Sequence, residues 1–301
     1  MEFKKISIII PSYNSQNTLY LCLEALKKQT YKDFEVIIVD SSPNKEVDEV
    51  ASGFHDIIFI KKTERIYPGM ARNIGAENAK GDVLVFLDSD IILENDALEK
   101  IYKYYKEGYR VFGGAQKLKH YPNFSWTSLL EHYIFFHQYQ DTRNMGRRNN
   151  LSSSLLILEK DLFFKKGLFS DIPRMQDTEL TERLRKENVK LFFIPDIVGH
   201  KIYETSFLKI LRKTYLNGNN LLYIRYAGSI NLLQKFILII FLPIIALAKF
   251  TRINLRNIIF NNAKDKLFGL LVSPVVYFCG IYWMAGMYNA LFFNKGISGE
   301  R

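Results

Sequence analysis

Cysteine is scarce in this chain, with two residues among 301. Cys22 and Cys279 both lie in apolar stretches, so the sequence predicts neither a disulfide framework nor a zinc site with cysteine ligands. Both are expected to pack as small hydrophobic side chains in a reducing compartment. Internal repeats and low-complexity linkers are also missing, and 48% hydrophobic residues provide enough apolar material for a full core.

Positive charge is unevenly distributed along the chain, whose formal net charge is +10. Residues 201–266 contain eleven Lys and Arg against two Asp and Glu, so most of the net charge lies there. These residues surround an apolar stretch at 236–248, and a second stretch, 267–293, has no charged residue. The second is long enough to cross a bilayer, whereas the first is shorter and contains Pro243. The pattern predicts attachment to an anionic membrane surface, and the lack of any nucleic-acid motif excludes a nucleic-acid partner.

The first half of the chain alternates strand and helix patterns. Four runs rich in β-branched residues predict buried strands, at 6–10, 34–39, 57–60 and 83–87. Such alternation implies right-handed crossovers and a mostly parallel, Rossmann-like sheet, with ligands at the carboxyl ends of its strands. Asp40 follows the second run, and Asp88 and Asp90 follow the fourth. The sequence therefore predicts an α/β domain with acidic side chains at its ligand-binding edge.

Asp88 and Asp90 form the most informative pattern, two carboxylates two residues apart where a buried strand ends. Ionised carboxylates at the edge of a core are costly unless they are paired or metal-bound, so the pair indicates a divalent cation site. Two alternatives stay open on this pattern alone. Phosphatases of the haloacid dehalogenase type share the strand-end motif but need Thr or Val where this chain has Ile92. A solvated turn capping a helix at about 94–105 would also carry acids.

Further motifs occur in a defined order along the chain. They include Pro11-Ser12-Tyr13-Asn14, Val39-Asp40, Arg72-Asn73-Ile74-Gly75, Asp88-Ser89-Asp90, Gly113-Gly114, Gly167-Leu168-Phe169, Gln176-Asp177-Thr178-Glu179-Leu180 and Pro195 through His200. In this order they resemble family 2 glycosyltransferases of the GT-A fold. The resemblance implies a catalytic domain at 1–228 and a C-terminal membrane-associated helical region, amphipathic or transmembrane, at 229–301.

The resemblance also implies roles for individual residues in binding a nucleotide-sugar donor. The donor-binding set is Pro11, Tyr13, Asn14, Asp40, Arg72 and Asp88. Asp40 would contact the base or ribose, but Asp40-Ser41-Ser42-Pro43 differs from the family's usual Asp-Asp-Gly-Ser, so UDP and GDP donors both stay open. The metal set, for Mg²⁺ or Mn²⁺ against the donor diphosphate, is Asp88, Asp90 and His200. The alternative for His200 is an ordinary structural histidine.

Asp177 matches the family's general base, which accepts the proton of the acceptor hydroxyl as that oxygen attacks the anomeric carbon. One base without a second nucleophile implies a single displacement with inversion. The alternative is a helix N-terminal acid that only complements the helix dipole. A weaker set is expected on the acceptor side: Gly114, Gln176, Arg147 and Arg148.

The resulting hypothesis is a membrane-associated, metal-dependent inverting glycosyltransferase of the hexosyltransferase type. It would transfer sugar from a UDP- or GDP-linked donor to a lipid-linked or polyprenyl-phosphate acceptor in polysaccharide or glycan biosynthesis. No signal peptide is expected, because the first apolar run is short and Pro11 follows it, so the catalytic domain is expected on the cytoplasmic face of the plasma membrane. Two alternatives are a non-catalytic nucleotide-binding membrane scaffold and a processive polysaccharide synthase. The chain lacks the Gln-x-x-Arg-Trp signature of such synthases.

Overall fold

A computed structural model describes residues 6–54, 56–140, 144–226, 230–260 and 263–293. Its first part comprises β1 Ile6–Ser12, α1 Gln16–Lys27, β2 Phe34–Asp40, α2 Glu46–Ser52, β3 Ile57–Lys61, α3 Pro68–Glu77 and β4 Val83–Leu87. The middle comprises β5 Ile91–Leu93, α4 Ala97–Lys106, β6 Val111–Leu118, α5 Trp126–Phe135, β7 Gly146–Arg147, β8 Leu155–Glu159, α6 Lys160–Lys166, α7 Gln176–Lys186 and β9 Phe192–Lys201. Three long helices follow: α8 Phe207–Tyr226, α9 Leu232–Phe260 and α10 Ala263–Phe293.

The described strands form a nine-stranded sheet in the order β3-β2-β1-β4-β8-β6-β9-β5, with β7 paired to β9. The four predicted strands, β1 to β4, are parallel neighbours, so their carboxyl ends lie at one edge. The strand β8 then pairs antiparallel to both β4 and β6, and β5 pairs antiparallel to β9. This second half of the sheet brings the start of β8 and the end of β9 to the carboxyl end of β4.

Both faces of the sheet are covered by helices, which explains why its strands read as continuous apolar runs. Successive side chains of a strand point to opposite faces. Ile8 accordingly packs with α1, α2 and α4 on one face, while Ile9 packs with α3, α6 and α7 on the other. Gly75 of α3 lies against Ile9, because a Cβ added at Gly75 would collide with that side chain. This close approach fixes α3 on the sheet.

Gly114, which was predicted on the acceptor side, has a structural reason to be glycine in β6. The register between β6 and β9 shifts at Gly114, next to the segment of β9 that contains Pro195. A Cβ at Gly114 would collide with the backbone oxygen of Ile197. Glycine is therefore needed for the bulged strand to approach closely, and an acceptor contact at Gly114 stays a prediction.

The helices α8, α9 and α10 share one apolar cluster, to which Leu130 and Ile134 of α5 also contribute. α8 and α10 pack closely, since a Cβ at Gly218 would collide with the backbone of Trp283. By packing, α8 thus belongs with the two last helices, although the boundary at 228 stays a prediction. Two segments, Leu232–Ile259 and Lys266–Phe293, are long and apolar enough to cross a membrane.

The first of these helices is longer than the sequence pattern suggested. α9 runs without interruption through Pro243, although proline lacks a backbone donor and crowds the preceding turn. Many of its apolar side chains face outward, for example Leu247 at 61% exposure. Such exposure is expected where a helix meets lipid or another apolar partner.

Candidate active site

The carboxylate pair lies in a tight turn between β4 and β5, here called the acidic turn (residues 88–90). Asp88 accepts a hydrogen bond from the Ile91 N–H through its backbone carbonyl at 3.1 Å. Its own N–H donates to the Ser154 carbonyl at 3.1 Å, and the Ile202 N–H donates to the Asp90 carbonyl at 2.9 Å. These bonds tie the turn to the start of β8 and to the end of β9. Both carboxylates are thereby held at the edge of the sheet.

Three side chains contact the carboxylate of Asp88. The Arg72 Nη2 lies 2.6 Å from Oδ1, the Ser154 hydroxyl donates to Oδ2 at 2.5 Å, and the Lys201 Nζ lies 3.4 Å from Oδ2. Burial opposes ionisation, but the positive charges of Lys201 and Arg72 hold the pKa of Asp88 well below its ordinary value. Asp88 is therefore ionised at neutral pH.

Asp90 shares the same ammonium group. The Lys201 Nζ donates to the Asp90 Oδ1 at 2.6 Å. Burial, helped by the neighbouring charge of Asp88, raises the pKa of Asp90 despite the attraction of Lys201. The two carboxylates raise the pKa of Lys201, against the effect of its burial. One lysine thus partly neutralises the acidic turn.

The acidic turn also fits a divalent cation held together with a donor diphosphate. Mg²⁺ sites of this kind use one or two protein carboxylates, and phosphate oxygens and water supply the other ligands. Within the described parts of the chain no group of three or more His, Cys, Asp or Glu is arranged as a metal cluster. Asp90 is the better protein ligand. Among the described residues only Lys201 contacts its carboxylate, whereas both oxygens of Asp88 have partners.

The structure does not bring His200 to the acidic turn. Alternate residues of a strand face opposite sides, so the side chain of Lys201 occupies the place predicted for His200. The His200 Nε2 instead lies 3.2 Å from the Glu94 Oε1. Burial lowers the pKa of this histidine, although Glu94 opposes the shift. The predicted metal contact of His200 does not match this geometry.

The motif Arg72-Asn73-Ile74-Gly75 lies on α3, and two of its side chains hold parts of the site in place. Asn73 is buried, and its amide pairs with both backbone groups of Phe169, donating at 2.8 Å and accepting at 2.9 Å. Arg72 is 3% exposed and uses Nη2 for Asp88, but its Nε and Nη1 groups are buried without a partner among the described residues. Unpaired buried donors are costly, so they indicate a place for an anionic ligand.

Asp177 lies in the first turn of α7 and lines the same space. Its Oδ1 accepts from the Thr178 N–H at 2.7 Å, and its Oδ2 accepts from the Ser153 N–H at 3.3 Å. Burial raises the pKa of Asp177 although both backbone donors favour the ionised form. Met175, the residue before α7, has the left-handed conformation, which turns the chain sharply into the helix. A half-buried carboxylate with a raised pKa at a cavity is suited to accept a proton.

These groups line one cavity of about 610 Å³, here called the strand-end cavity. Of the residues predicted for the site, the structure brings together Tyr13, Asn14, Arg72, Asp88, Asp90, Gln176 and Asp177. The Gln176 amide donates to the Ile172 carbonyl at 2.7 Å, which holds the loop before α7. Pro11 does not line this cavity but pairs with Val39 inside the sheet.

Asp40 is also absent from the lining of the strand-end cavity. It is fully buried, and its carboxylate accepts from the Lys61 Nζ at 2.8 Å and from the Ser42 hydroxyl at 2.7 Å. The Ser42 hydroxyl in turn accepts from the Asn14 N–H at 2.7 Å. In this structure Asp40 orders the loops after β1 and β2, and a direct contact with a nucleotide stays a prediction.

Sequence reasoning missed Lys201, Ser154 and the ion pair of Lys213 with Glu131, whose atoms lie 2.6 Å apart. All line the strand-end cavity. Lys201 follows directly after the Pro195 to His200 motif. Because neighbouring side chains of a strand face opposite sides, the sequence could have indicated Lys201 as the alternative to His200. The other residues lie on α5, α8 and the loop before β8, and only tertiary packing brings them to the acidic turn.

Comparisons with known proteins agree with this architecture. The model of glycosyl transferase family 2 matches residues 7–163. The chain is 27% identical over 252 residues to the glycosyltransferase AglE of Haloferax volcanii, which covers 79% of this chain and 81% of AglE. It is 36% identical over 103 residues to the glycosyltransferase GlyA of Streptococcus pneumoniae serotype 4, covering 33% of this chain and only 15% of GlyA.

A solved structure extends the likeness to nearly the whole chain. The mannosyltransferase PcManGT from Pyrobaculum calidifontis, in complex with GDP-Man and Mn²⁺, matches with a TM-score of 0.62 at 16% identity. The match covers 97% of this chain and 88% of that structure. The predicted GT-A fold is confirmed.

Proposed function

The chain belongs to glycosyl transferase family 2, and we propose that it transfers one sugar, with inversion, from a UDP- or GDP-linked donor to a hydroxyl of a lipid-linked acceptor at a membrane. The proposal depends chiefly on one observation. In the strand-end cavity, the unpaired buried N–H groups of Arg72 and the half-buried carboxylate of Asp177 lie around the same carboxylate pair. That arrangement suits an anionic leaving group and a proton-bearing nucleophile.

Arg72 would bind the donor diphosphate through its Nε and Nη1 groups while Asp88 holds its Nη2. Asp177 would accept the proton of the acceptor hydroxyl as the oxygen forms its bond to the anomeric carbon. The bond between that carbon and the diphosphate oxygen breaks, and the nucleoside diphosphate leaves with the electron pair. Because one displacement occurs on the face opposite the leaving group, the configuration of the sugar inverts.

Asp90, with Asp88, would hold Mg²⁺ or Mn²⁺ in this site. When bound, the cation would screen the charge of the leaving diphosphate as a Lewis acid. Lys201 would then contact the carboxylates together with the cation or move toward the phosphate. The Mn²⁺ in the PcManGT complex supports a metal of this kind.

Membrane attachment through α9 and α10 supports a membrane-bound acceptor. Their outward apolar side chains and the basic residues of the C-terminal third suit an anionic leaflet. Nucleotide sugars are cytoplasmic, so we place the catalytic domain on the cytoplasmic face of the plasma membrane.

The test uses the full chain in detergent, with UDP- and GDP-sugars screened for nucleotide release in the presence of a membrane lipid extract. Asp90→Ala and Asp177→Asn should each lower turnover by about 10²-fold or more, and the folded protein should persist. Asp161→Asn, an exposed carboxylate on α6, is the matched control and should retain full turnover. Turnover close to that of the unmodified chain in either site variant would refute the assigned roles.

A further inference from the structure

A second and larger cavity adjoins the site. This basic cavity measures about 1150 Å³ and lies between β7, α7, α8 and α9. Eight Lys and Arg side chains line it, against one carboxylate, Glu182. Glu182 lies 3.6 Å from the Arg225 Nε, which leaves a large excess of positive charge. Like charges gathered around one space repel each other, so the cavity is suited to hold a multiply charged anion.

Four elements contribute these charges. Arg147 and Arg148 come from β7 and the residue after it, and Arg185 and Lys186 come from the end of α7. α8 contributes Arg225. Arginine forks match phosphate oxygens in geometry as well as in charge. The sequence-predicted acceptor residues Arg147 and Arg148 thus lie in this cavity and not in the strand-end cavity.

The remaining cations form a stripe on α9. Lys249, Arg252 and Arg256 are spaced by three and four residues, so they share one face of the helix and all line the basic cavity. The Lys249 Nζ lies 3.9 Å from the centre of the Trp283 ring on α10. Charged residues in a helix that is apolar enough to enter a membrane are expensive, and they indicate a binding function.

An apolar groove on the outer surface of α9 continues from the basic cavity. It measures about 490 Å³ and includes Ile244, Leu247 and Leu255, which are 54% or more exposed. Arg252 and Arg256 line both spaces. A ligand that fills both would have an anionic head and a hydrocarbon tail.

The basic cavity also adjoins the strand-end cavity. Gln138, Asn150 and Thr178 line both. Thr178 directly follows Asp177, and the Asn150 amide donates to the Thr178 hydroxyl at 3.2 Å. A sugar attached to a head group in the basic cavity would therefore cross this shared wall to meet the base.

The charges in the two cavities discriminate between the two acceptor classes. A lipid monophosphate acceptor must place its own phosphate oxygen at the anomeric carbon, hence inside the strand-end cavity. Five carboxylates and four Lys or Arg line that cavity, and three of the four cations already form ion pairs there. The donor diphosphate would already occupy the unpaired N–H groups of Arg72. A second phosphate at the anomeric carbon would therefore face mainly carboxylates and cations that are already paired, and it would need no base such as Asp177. A sugar hydroxyl is neutral and needs that base.

We propose that the basic cavity binds the diphosphate of a lipid-diphosphate-linked saccharide, which is the acceptor. Its hydrocarbon chain lies along the apolar groove, and its sugar reaches Asp177 across the shared wall. The inference rests on the proposed function and narrows its acceptor from the two classes open in the sequence to one.

The test measures binding of farnesyl diphosphate to the full chain in phosphatidylcholine nanodiscs by calorimetric titration. Arg252→Gln/Arg256→Gln should weaken binding at least tenfold, because charged hydrogen bonds to phosphate are lost. Lys209→Gln/Lys235→Gln removes two charges from α8 and α9 outside both cavities and should change binding less than about twofold. Farnesyl monophosphate and inorganic pyrophosphate should each bind at least tenfold more weakly than farnesyl diphosphate.

Several results would overturn the proposal. Equal losses in the two double variants, or equal affinity for the monophosphate, would refute a diphosphate site. Affinity for pyrophosphate equal to that for farnesyl diphosphate would refute binding of the hydrocarbon chain in the apolar groove. Loss of farnesyl diphosphate binding when phosphatidylglycerol replaces half the phosphatidylcholine would mean that the cations only attract an anionic bilayer.

The same preparations separate this inference from the proposed function. UDP and GDP titrated with MnCl₂ report on the strand-end cavity, and Arg252→Gln/Arg256→Gln should leave that binding unchanged. Donor binding and turnover without farnesyl diphosphate binding would refute the inference alone. Farnesyl diphosphate binding without donor binding or turnover would refute the proposed function.

Discussion

Replacing Asp177 by Asn should abolish catalysis and at the same time change how stability depends on pH. Burial raises the pKa of Asp177 in the folded protein, so the native state holds this proton more tightly than the unfolded chain does. The contribution of Asp177 to stability is therefore fully present below the unfolded value of about 3.9 and is lost as pH rises through the folded pKa. Asn carries no titrating proton and avoids this loss.

The magnitude follows from the contacts. Each unit by which the folded pKa is raised corresponds to about 1.4 kcal/mol of stability lost at neutral pH. Asn keeps one acceptor oxygen and cannot accept from both the Ser153 and Thr178 N–H groups, which costs about 1–3 kcal/mol at every pH. The protonated carboxyl pays a similar cost at acid pH. The lost hydrogen bond therefore contributes equally at every pH. Any change with pH in the stability difference between the two proteins reports the ionisation of Asp177.

The assay is the melting temperature of the full chain and of Asp177→Asn in detergent, from about pH 3.9 to neutrality. As pH rises, the melting temperature of the variant should increase relative to that of the unmodified protein. The expected increase is about 2 °C for each kcal/mol in a chain of this size. Its turnover should fall by about 10²–10⁴-fold. A melting-temperature difference that stays constant with pH would refute a raised pKa, and retained turnover would refute the role as base. Asp161→Asn controls for the loss of one negative charge.

Three further predictions concern the construction of the site. Lys201→Met removes the ammonium group from the acidic turn and should lower the half-saturating Mn²⁺ concentration about tenfold. Lys201→Arg keeps the positive charge and should not lower it. Equal Mn²⁺ titrations for both variants would contradict an ion pair of Lys201 with the acidic turn. Asn73→Ala leaves both backbone groups of Phe169 unpaired and should cost about 2–6 kcal/mol, seen as a lower melting temperature, and an unchanged value would show that the loop does not depend on this amide. Gly218→Leu should cost about 1–3 kcal/mol by forcing α8 from α10, while Gly53→Ala, where a Cβ has ordinary space, should leave the melting temperature unchanged.

Local pattern predicted a large part of this fold. The runs that became β1 to β4 have the apolar, β-branched character that a sheet covered on both faces requires, and turn residues end them at the expected places. The strand β5 was missed because three residues, Ile91–Leu93, give too short a pattern, and they pair only with the distant β9. The helix expected from about 94 consequently begins at Ala97.

The candidate site was predictable wherever one motif contains both the residue and its geometry. Asp88 and Asp90 share one turn, and Asp177 lies in the first turn of its own helix. His200 and Asp40 show the limit of that reasoning. The motif places them at strand ends, but the face on which a side chain lies and the partners it meets depend on the neighbouring strands and helices.

The sequence by itself determined the order of the motifs, the acidic strand ends, the carboxylate in the first turn of α7 and the apolar, basic character of the C-terminal third. These properties depend on local periodicity, turn formation and composition, all of which act over a few residues. Tertiary structure alone decided that Lys201 neutralises the acidic turn and that cations from residues 147 to 256 line one cavity next to Asp177. Packing of distant elements sets those distances, because the energy of an ion pair depends on separation in space and on burial, neither of which is encoded by spacing along the chain.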